Sequence, residues 1–145
     1  MTSLNKAAAE IVLNRIQTPD GTILTSTHRH DFKTYTDANG QTYMVDGGLD
    51  YLRRNVVAPP HQYKELSVYD DAPFEIIRES FEWGTFGKDG KQPIRKIKLC
   101  EMSDAHIDAI LNHRTTMMSL KPKYQDLFKR EIGYRIDNNI VVEDE

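Results

Sequence analysis

Cysteine is almost absent from this sequence, which contains Cys100 alone among its 145 residues. A single cysteine excludes an internal disulfide and any zinc site built from several cysteines. Cys100 directly follows the strand-like run Ile97-Lys98-Leu99, so we interpret it as a small buried apolar residue. This cysteine usage is typical of a protein from a reducing compartment.

Long apolar runs are also missing. No stretch approaches the roughly 20 apolar residues that a membrane-spanning helix requires. The N-terminal residues contain a short alanine run but no apolar core of a signal peptide. We therefore expect a soluble cytoplasmic protein that does not contact a membrane. The apolar fraction of 39% suits a thin core, long polar loops or a homo-oligomer whose copies share core surface.

The chain has no excess of basic charge. Its net charge is −3, and part of the acidic excess lies in Glu143-Asp144-Glu145. A general nucleic-acid binder normally has a basic face. The charge balance therefore argues against that class of protein, although it leaves a local basic patch open.

Motifs of nucleophilic catalysis are absent as well. There is no Gly-x-Ser-x-Gly elbow and no cysteine–histidine context, and the carboxylates are scattered. The glycine-rich segment 82–91 follows a predicted helix and lacks the Gly-Lys-Ser/Thr ending of a phosphate-binding loop, so we reject a nucleoside triphosphatase. These absences favour a protein that is not an enzyme, without excluding one.

Strong hairpin signals are present in the first half. Thr18-Pro19-Asp20-Gly21 and Asp37-Ala38-Asn39-Gly40 are predicted turns in which glycine adopts a positive φ. Residues 4–16 fit either a strand or a helix through the alanine run, and residues 49–55 fit either a short strand or a helical turn. The other predicted strands share alternation or β-branched residues and are 22–27, 31–36, 41–45, 64–69 and 94–99.

The second half is predicted to be more helical. One helix begins at Pro73 and ends at Gly84, and a second is capped by Ser103. A third begins at Pro122 and ends at Asp137-Asn138-Asn139.

The predicted fold class is therefore α+β. We expect a small antiparallel sheet of hairpins from the N-terminal half, packed against about three helices from the C-terminal half. Residues 1–136 are predicted to form a single domain. Residues 137–145 are predicted to form an acidic, flexible tail.

The tetrapeptide His28-Arg29-His30-Asp31 is the most unusual motif. On a strand, His28 and His30 would share one face, roughly 6–7 Å apart. Two imidazoles in this arrangement could hold a metal ion together with Asp31, or contact an anionic ligand such as a phosphate. A metal would need further ligands, for which the nearest candidates are Asp37, Asp46 and Asp50. The simpler alternative is a pair of polar residues on a sheet surface.

A glycine pair and an arginine pair follow the second predicted hairpin. Gly47 and Gly48 would let the backbone approach a ligand closely, and exposed N–H groups in such a turn can hold an anion. Arg53 and Arg54 offer planar donors for phosphate or carboxylate, and Tyr51 offers a stacking face. The alternative is an ordinary glycine turn beside solvated arginines.

A second group of candidate residues lies in segment 82–91. Trp83 and Phe86 flank glycines and could form a lid with stacking rings, although such a tryptophan also commonly closes the edge of a core. Lys88 and Lys91 make the loop that follows basic. The predicted ligand-binding residues lie on this segment, on the histidine-rich strand or around the glycine turn, and are His28, His30, Asp46, Gly47, Gly48, Tyr51, Arg53, Arg54, Trp83, Lys88 and Lys91.

Taken together, these motifs resemble a family of small hypothetical proteins of tailed bacteriophages. The resemblance covers nearly the whole chain between residues 18 and 135. It implies an accessory phage protein made in a bacterial cytoplasm rather than a shell component, and it implies no catalytic residue. The motifs that carry it are Pro19-Asp20-Gly21-Thr22, His28-Arg29-His30-Asp31, Asp37-Ala38-Asn39-Gly40, Val45-Asp46-Gly47-Gly48, Tyr51-Leu52-Arg53-Arg54, Trp83-Gly84-Thr85, Gly87-Lys88-Asp89-Gly90-Lys91-Gln92-Pro93 and Met102-Ser103-Asp104-Ala105-His106-Ile107.

The resemblance also directs the functional hypothesis, because small phage accessory proteins often antagonise host defence. We predict a homo-oligomer that sequesters a small anionic, nucleotide-like ligand without turning it over and without a cofactor. One alternative is a metal-dependent hydrolase or lyase that uses the strand with His28 and His30. Another alternative is a protein–protein inhibitor of a host enzyme.

Overall fold

A computed structural model describes residues 9–48, 52–56, 63–87 and 90–145, without the side chains of Arg29, Asn55 and Val56. Within this part of the chain, small antiparallel sheets lie mostly in the N-terminal half and helices mostly in the C-terminal half. The predicted α+β fold class is therefore confirmed. The chain divides into two compact units, Met1–Phe81 and Glu82–Glu145, where the sequence analysis treats residues 1–136 as one domain.

The described part of the first unit contains two antiparallel sheets. Its strands are β1 (Ile11–Gln17), β2 (Ile23–Ser26), β3 (His28–Thr36), β4 (Thr42–Gly47), β5 (Leu52–Val56), β6 (Lys64–Glu65) and β7 (Val68–Tyr69). One sheet has the order β2-β1-β6, with β7 also paired to β1, and the other has the order β3-β4-β5. The two segments with open interpretations, 4–16 and 49–55, thus both contain a strand. Residues 1–8 and 49–51 lie outside the described part of the chain.

Both predicted hairpin turns are present and share one backbone construction. The N–H of Gly21 donates to the carbonyl of Thr18 (2.9 Å), and the N–H of Gly40 donates to the carbonyl of Asp37 (3.0 Å). The two glycines have φ values of 92° and 80°, a region in which a side chain would be strained. The local sequence therefore determines where both hairpins reverse direction.

The core of the first unit lies between its two sheets. Ile16 of β1 and Leu24 of β2 are buried together with Tyr43 and Val45 of β4. Tyr43 and Val45 are two residues apart, so they face the same side of β4. Because a shift of one residue would turn this pair out of the core, their burial fixes the register of β4.

The helix predicted from Pro73 to Gly84 is shorter in the structure. Helix α1 spans Phe74–Ser80, and Phe81 already has an extended backbone (φ −74°, ψ 127°). Strand β8 (Glu82–Thr85) follows and pairs antiparallel with β9 (Arg95–Lys98). The prediction that Gly84 ends the helix was therefore wrong. Pairing between β8 and β9 outweighs the helical periodicity of the local sequence.

A short 3-10 helix (Leu99–Glu101) follows β9 in the second unit. Three α-helices come after it in the described part of the chain, and two of them begin where the sequence predicts. They are α2 (Asp104–Asn112), α3 (Arg114–Ser119) and α4 (Pro122–Asn138). The hydroxyl of Ser103 caps α2 by accepting from the N–H of His106 (3.1 Å). The short helix α3 was not predicted, and it buries none of its residues. No helix in the described part of the chain combines the length and apolarity needed to cross a membrane.

The segment after α4, predicted to be flexible, makes specific contacts in the structure. Helix α4 is closed by Asn139 in the left-handed conformation (φ 55°, ψ 45°). The N–H of Ile140 then donates to the carbonyl of Arg135 (2.8 Å), which is the hydrogen bond of a Schellman cap. Further along, the carbonyl of Val142 accepts from the N–H of Asp104 (2.8 Å). The backbone of residues 140–142 is thereby held against α2.

Candidate functional site

The histidine-rich motif lies at an irregular start of β3. The pairing register with β4 shifts between His28 and Lys33, and His30 has a left-handed φ of 60°. The regular alternation from which we predicted a shared face for His28 and His30 is therefore absent. Both histidines are at least partly accessible. In the described residues, no group of three histidine, cysteine, aspartate or glutamate side chains could hold a metal ion.

Asp31 stabilises this irregular segment from within. Its carboxylate accepts hydrogen bonds from the N–H of Thr27 (2.9 Å) and from the ammonium of Lys33 (2.8 Å). Nδ1 of His28 lies 3.6 Å from the same carboxylate. Burial alone would raise the pKa of Asp31, but the hydrogen bonds from Lys33 and Thr27 outweigh it and hold the pKa below its usual value. Asp31 thus organises the loop as a charged acceptor.

The glycine pair allows one part of the chain to approach another. Gly47 and Gly48 are buried and have φ values of 104° and 115°. A Cβ atom at Gly48 would lie 2.2 Å from the carbonyl oxygen of Ser26, and the hydroxyl of Ser26 donates to the carbonyl of Gly47 (2.8 Å). The close approach predicted for a ligand is therefore made by β2.

Arg54 makes its hydrogen bonds within the first unit. Its guanidinium donates to Glu65 (2.7 Å), to the side-chain oxygen of Asn14 (3.0 Å) and to the hydroxyl of Ser67 (2.9 Å). Burial alone would lower the pKa of Arg54, but the hydrogen bonds with Glu65 and Tyr63 outweigh it and raise the pKa. Its donors hold β5 against β1 and the segment around β6, which makes Arg54 a structural residue.

Asn14 is a residue that the sequence analysis missed. It is fully buried, and its amide donates to the carbonyls of Asp46 (3.0 Å) and Arg53 (3.1 Å). It accepts from Arg54 as described above, so one side chain joins β1 to both β4 and β5. The signal was a single amide within the apolar run Ile11-Val12-Leu13-Asn14-Arg15-Ile16, since a buried amide needs several hydrogen-bond partners.

The predicted site residues thus separate into two sets. Asp46, Gly47, Gly48 and Arg54 are buried or largely buried, whereas His30, Arg53 and Lys91 are exposed and His28 is partly exposed. Tyr51 and Lys88 lie outside the described residues.

Trp83 packs in the second unit. Its ring meets the ring of Phe128 edge to face, with the centroids 5.1 Å apart and an interplanar angle of 86°. Ile97 and Thr85, which lie on the same face of the β8–β9 hairpin by alternation, are buried. This inner face fits the interpretation that Trp83 closes the edge of a core.

The opposite face of the hairpin is exposed and basic. We name it the hairpin face, and it comprises Glu82, Gly84, Phe86, Ile94, Lys96 and Lys98. Phe86 is 52% exposed and Ile94 is 58% exposed. A Cβ atom at Gly84 would lie 3.1 Å from Cδ1 of Ile94 and 3.4 Å from Nζ of Lys96, so both of these side chains lie against the bare backbone of Gly84.

The sequence segment that contains the hairpin is basic. Residues 82–98 contain five cations and two carboxylates, which gives a local charge of +3 in a chain whose net charge is −3. The cations are Lys88, Lys91, Arg95, Lys96 and Lys98, and the carboxylates are Glu82 and Asp89. Trp83, Lys88 and Lys91 were predicted from the sequence as ligand-binding residues. Ile94, Lys96 and Lys98 were not, because a strand was predicted there without its partner strand.

A polar cluster around Glu145 lies beside the hairpin in the same unit. The carboxylate accepts from the N–H of Ser103 (2.9 Å) and from its hydroxyl (3.1 Å), and it pairs with His106. A guanidinium nitrogen of Arg95 lies 3.4 Å from the other carboxylate oxygen. Since Ser103 also caps α2, Glu145 joins this helix N-terminus to β9.

Acid is expected to weaken this cluster. Burial would raise the pKa of Glu145, but the hydrogen bonds from Ser103 and His106 hold it below its usual value. A carboxyl with a depressed pKa stabilises the folded state above its unfolded pKa, and this stabilisation is lost as the pH falls through the folded pKa. The melting temperature of Glu145→Gln should therefore lie below that of the wild type near neutrality, and the two should converge in acid.

The control for this measurement is Glu143→Gln, at an exposed position in the same segment. Its melting temperature should follow that of the wild type at every pH. A difference between Glu145→Gln and the wild type that persists unchanged into acid would show that the charge of Glu145 is not the cause.

Comparisons of the chain with models of known protein families, with curated proteins and with solved structures found no match. We therefore infer the function of the chain from the chemistry of the described side chains.

Proposed function

We propose that this protein is a non-catalytic binding protein for a small anionic, nucleotide-like ligand, and that the hairpin face contacts the ligand. The observation that carries the proposal is the position of Lys96 beside Ile94 over Gly84, with an exposed phenyl ring at Phe86. An ammonium suits a phosphate, and an aromatic or aliphatic surface suits the face of a base.

The charge around the hairpin face supports this choice of ligand. Exposed cations interact with an anion over about 10 Å at an ionic strength of 0.1 M. The two lysines of the hairpin face, Lys96 and Lys98, outnumber its one carboxylate, Glu82, and so favour anionic ligands over neutral ones. Stacking of a base on an aromatic side chain contributes about 1–3 kcal/mol. Together these contributions suit a ligand that has both a phosphate and a planar ring.

The region between His28 and Arg54 supports ligand binding less well. Arg54 and Asp31 make their hydrogen bonds within the first unit. The alternative of a metal-dependent hydrolase would require Asp31 to exchange its bonds with Thr27 and Lys33 for a metal ion. The hairpin face, in contrast, presents Lys96 and Phe86 on an exposed surface.

The biological setting is part of the same proposal. The resemblance to phage accessory proteins implies that the protein acts in a bacterial cytoplasm against host defence. A non-catalytic homo-oligomer would act there by lowering the free concentration of a nucleotide signal.

Nucleotide binding can be tested by thermal shift and by titration calorimetry. The probes are AMP, ATP, cyclic GMP and inorganic phosphate. We expect at least one nucleotide to raise the melting temperature. Phe86→Ala and Lys96→Gln should each lower the affinity for that nucleotide about tenfold, which is the effect of losing one stacking or charged contact.

Two control variants make this test specific. Lys129→Gln removes an exposed cation of α4, and Arg53→Gln removes an exposed cation from the region that the sequence analysis favoured. Both should retain the wild-type affinity. No response to any nucleotide would refute the proposed function, and a loss confined to Arg53→Gln would place the ligand on the first unit instead.

A further inference from the structure

An isoleucine-lined groove lies in the second unit, between α2, α4 and the segment that follows α4. It has a volume of about 560 Å³, and its apolar lining includes Ile107, Ile132, Ile136 and Val141. Ile136 is 71% exposed and Val141 is 70% exposed. Large aliphatic side chains this exposed, and grouped along one groove, are typical of an interaction surface.

The wall of the groove after α4 is held by hydrogen bonds. The left-handed Asn139 reverses the chain, and the N–H of Ile140 donates to the carbonyl of Arg135 (2.8 Å). The carbonyl of Val142 accepts from the N–H of Asp104 (2.8 Å), and the N–H of Val142 donates to the Asp104 carboxylate (3.3 Å). The groove is therefore formed before any partner arrives, so binding requires little reorganisation here.

The charged groups at the groove are mainly acidic. Asp104 and Asp108 line it at exposed positions. Arg135 also lines it but is buried and donates to Glu131 (2.7 Å) and Asp104 (2.6 Å). The side chains that line the groove thus include two carboxylates and one guanidinium, which gives a charge of −1. A partner with basic residues around an apolar stripe complements this surface.

A second copy of the chain suits the groove poorly. In a symmetric dimer each groove would meet its own counterpart, which would bring the Asp104 and Asp108 carboxylates of both copies together. An added strand also suits it poorly, because the backbone N–H groups of Ile140 and Val142 already have acceptors. An amphipathic helix needs neither backbone pairing nor a matching acidic surface, since its side chains supply the contacts.

We propose that this groove binds a basic amphipathic helix of a partner protein. The helix places aliphatic side chains of successive turns against Ile107, Ile136 and Val141, and lysine or arginine side chains beside Asp104 and Asp108. This inference goes beyond the proposed nucleotide binding, since it concerns a different surface and a different class of ligand.

The experiment uses the full chain and fluorescein-labelled model peptides of about five helical turns. One peptide has a leucine stripe flanked by lysines, a second has the same stripe flanked by glutamates, and a third has the lysine composition in scrambled order. Binding is followed by fluorescence anisotropy. We expect the leucine–lysine helix to bind at least about tenfold more tightly than either of the others.

Variants of the protein locate the binding surface. Ile136→Asp should lower the affinity for the leucine–lysine helix at least about tenfold, which is the usual effect of losing a central contact. Met118→Asp is the matched control, because Met118 is an exposed apolar residue of α3 that does not line the groove. It should bind the peptide as the wild type does. Circular dichroism of both variants would confirm that they fold.

Three outcomes would overturn the proposal. Equal affinity for the lysine and glutamate helices would show that the acidic residues of the groove do not select the ligand. Equal affinity of Ile136→Asp and the wild type for the leucine–lysine helix would show that the peptide does not bind in the groove. Self-association of the wild type in sedimentation velocity, abolished by Ile136→Asp, would show that a second copy covers the groove. The nucleotide titrations test Phe86 and Lys96, which do not line the groove, so either proposal can fail without affecting the other.

Discussion

Replacing Gly48 by alanine is expected to destabilise the first unit by roughly 3–5 kcal/mol, because backbone strain and overpacking add at one position. The new Cβ would lie 2.2 Å from the carbonyl oxygen of Ser26, an atom of the backbone that cannot move without shifting β2. The φ of 115° at this glycine also disfavours any L side chain. Because whole domains are stable by only about 5–15 kcal/mol, this variant is expected to be close to unfolding at 37 °C.

The effect can be measured by urea denaturation followed by far-UV circular dichroism, with Gly21→Ala as the control. Gly21 also has a positive φ, of 92°, but an added Cβ there meets no atom within 4 Å. Its cost should therefore be backbone strain alone, about 1–2 kcal/mol. If Gly48→Ala cost no more than Gly21→Ala, the close approach of β2 would not explain the glycine pair, and a ligand contact at Gly48 would regain support.

Removing the carboxylate of Glu131 is expected to destabilise the second unit by about 3–5 kcal/mol, the usual cost of breaking a buried ion pair. Glu131 is fully buried and Arg135 is 4% exposed. Nε of Arg135 donates to Glu131 (2.7 Å), and its other nitrogens donate to Asp104 (2.6 Å) and to the carbonyl of Leu99 (3.0 Å). In Glu131→Ala the guanidinium would keep its charge while losing its only fully buried counter-ion among the described residues.

The sole tryptophan, Trp83, reports this loss, since its ring packs on Phe128 in the same unit. Urea denaturation followed by its fluorescence should show the destabilisation. Combining Glu131→Leu with Arg135→Met should recover most of the stability, because replacing both charges by apolar groups removes the cost of an unpaired charge. Lys129→Ala, at an exposed position of α4, should change the stability by less than about 0.5 kcal/mol. If the double variant were no more stable than Glu131→Ala, the ion pair would not be the source of the effect.

Local features of the fold could be predicted from the sequence because they depend on neighbouring residues. The turns at Gly21 and Gly40 require a positive φ that glycine supplies, and the hydroxyl of Ser103 reaches an N–H only three residues away. Such features do not depend on the distant part of the chain. The strand after Gly21 and both strands beside Gly40 were therefore also predicted, within a few residues, whereas the segment before the Gly21 turn fitted either a strand or a helix.

Features that depend on distant partners were predicted less well. The apolar spacing of Phe74, Ile77 and Phe81 fits a helix, and only the presence of β9 turns residues 82–85 into a strand. The same limit applies to Glu131 and Arg135, since nothing in the local sequence shows that α4 buries two charged residues among its apolar ones. A charged side chain is normally solvated, so its burial is recognised only with its partner.

The candidate site shows the same division. The sequence by itself identified chemistry-bearing residues, and it determined that the α+β chain contains hairpins with glycine turns and helices with defined starts. Only the tertiary structure decided which of these residues serve the fold. Arg54 has the same donors whether it meets Glu65, Asn14 and Ser67 or a phosphate, and Gly48 has the same conformational freedom whether the approaching group is Ser26 or a ligand. The type of residue specifies which groups it can bind, and the position of distant strands determines which of these groups it contacts in the folded protein.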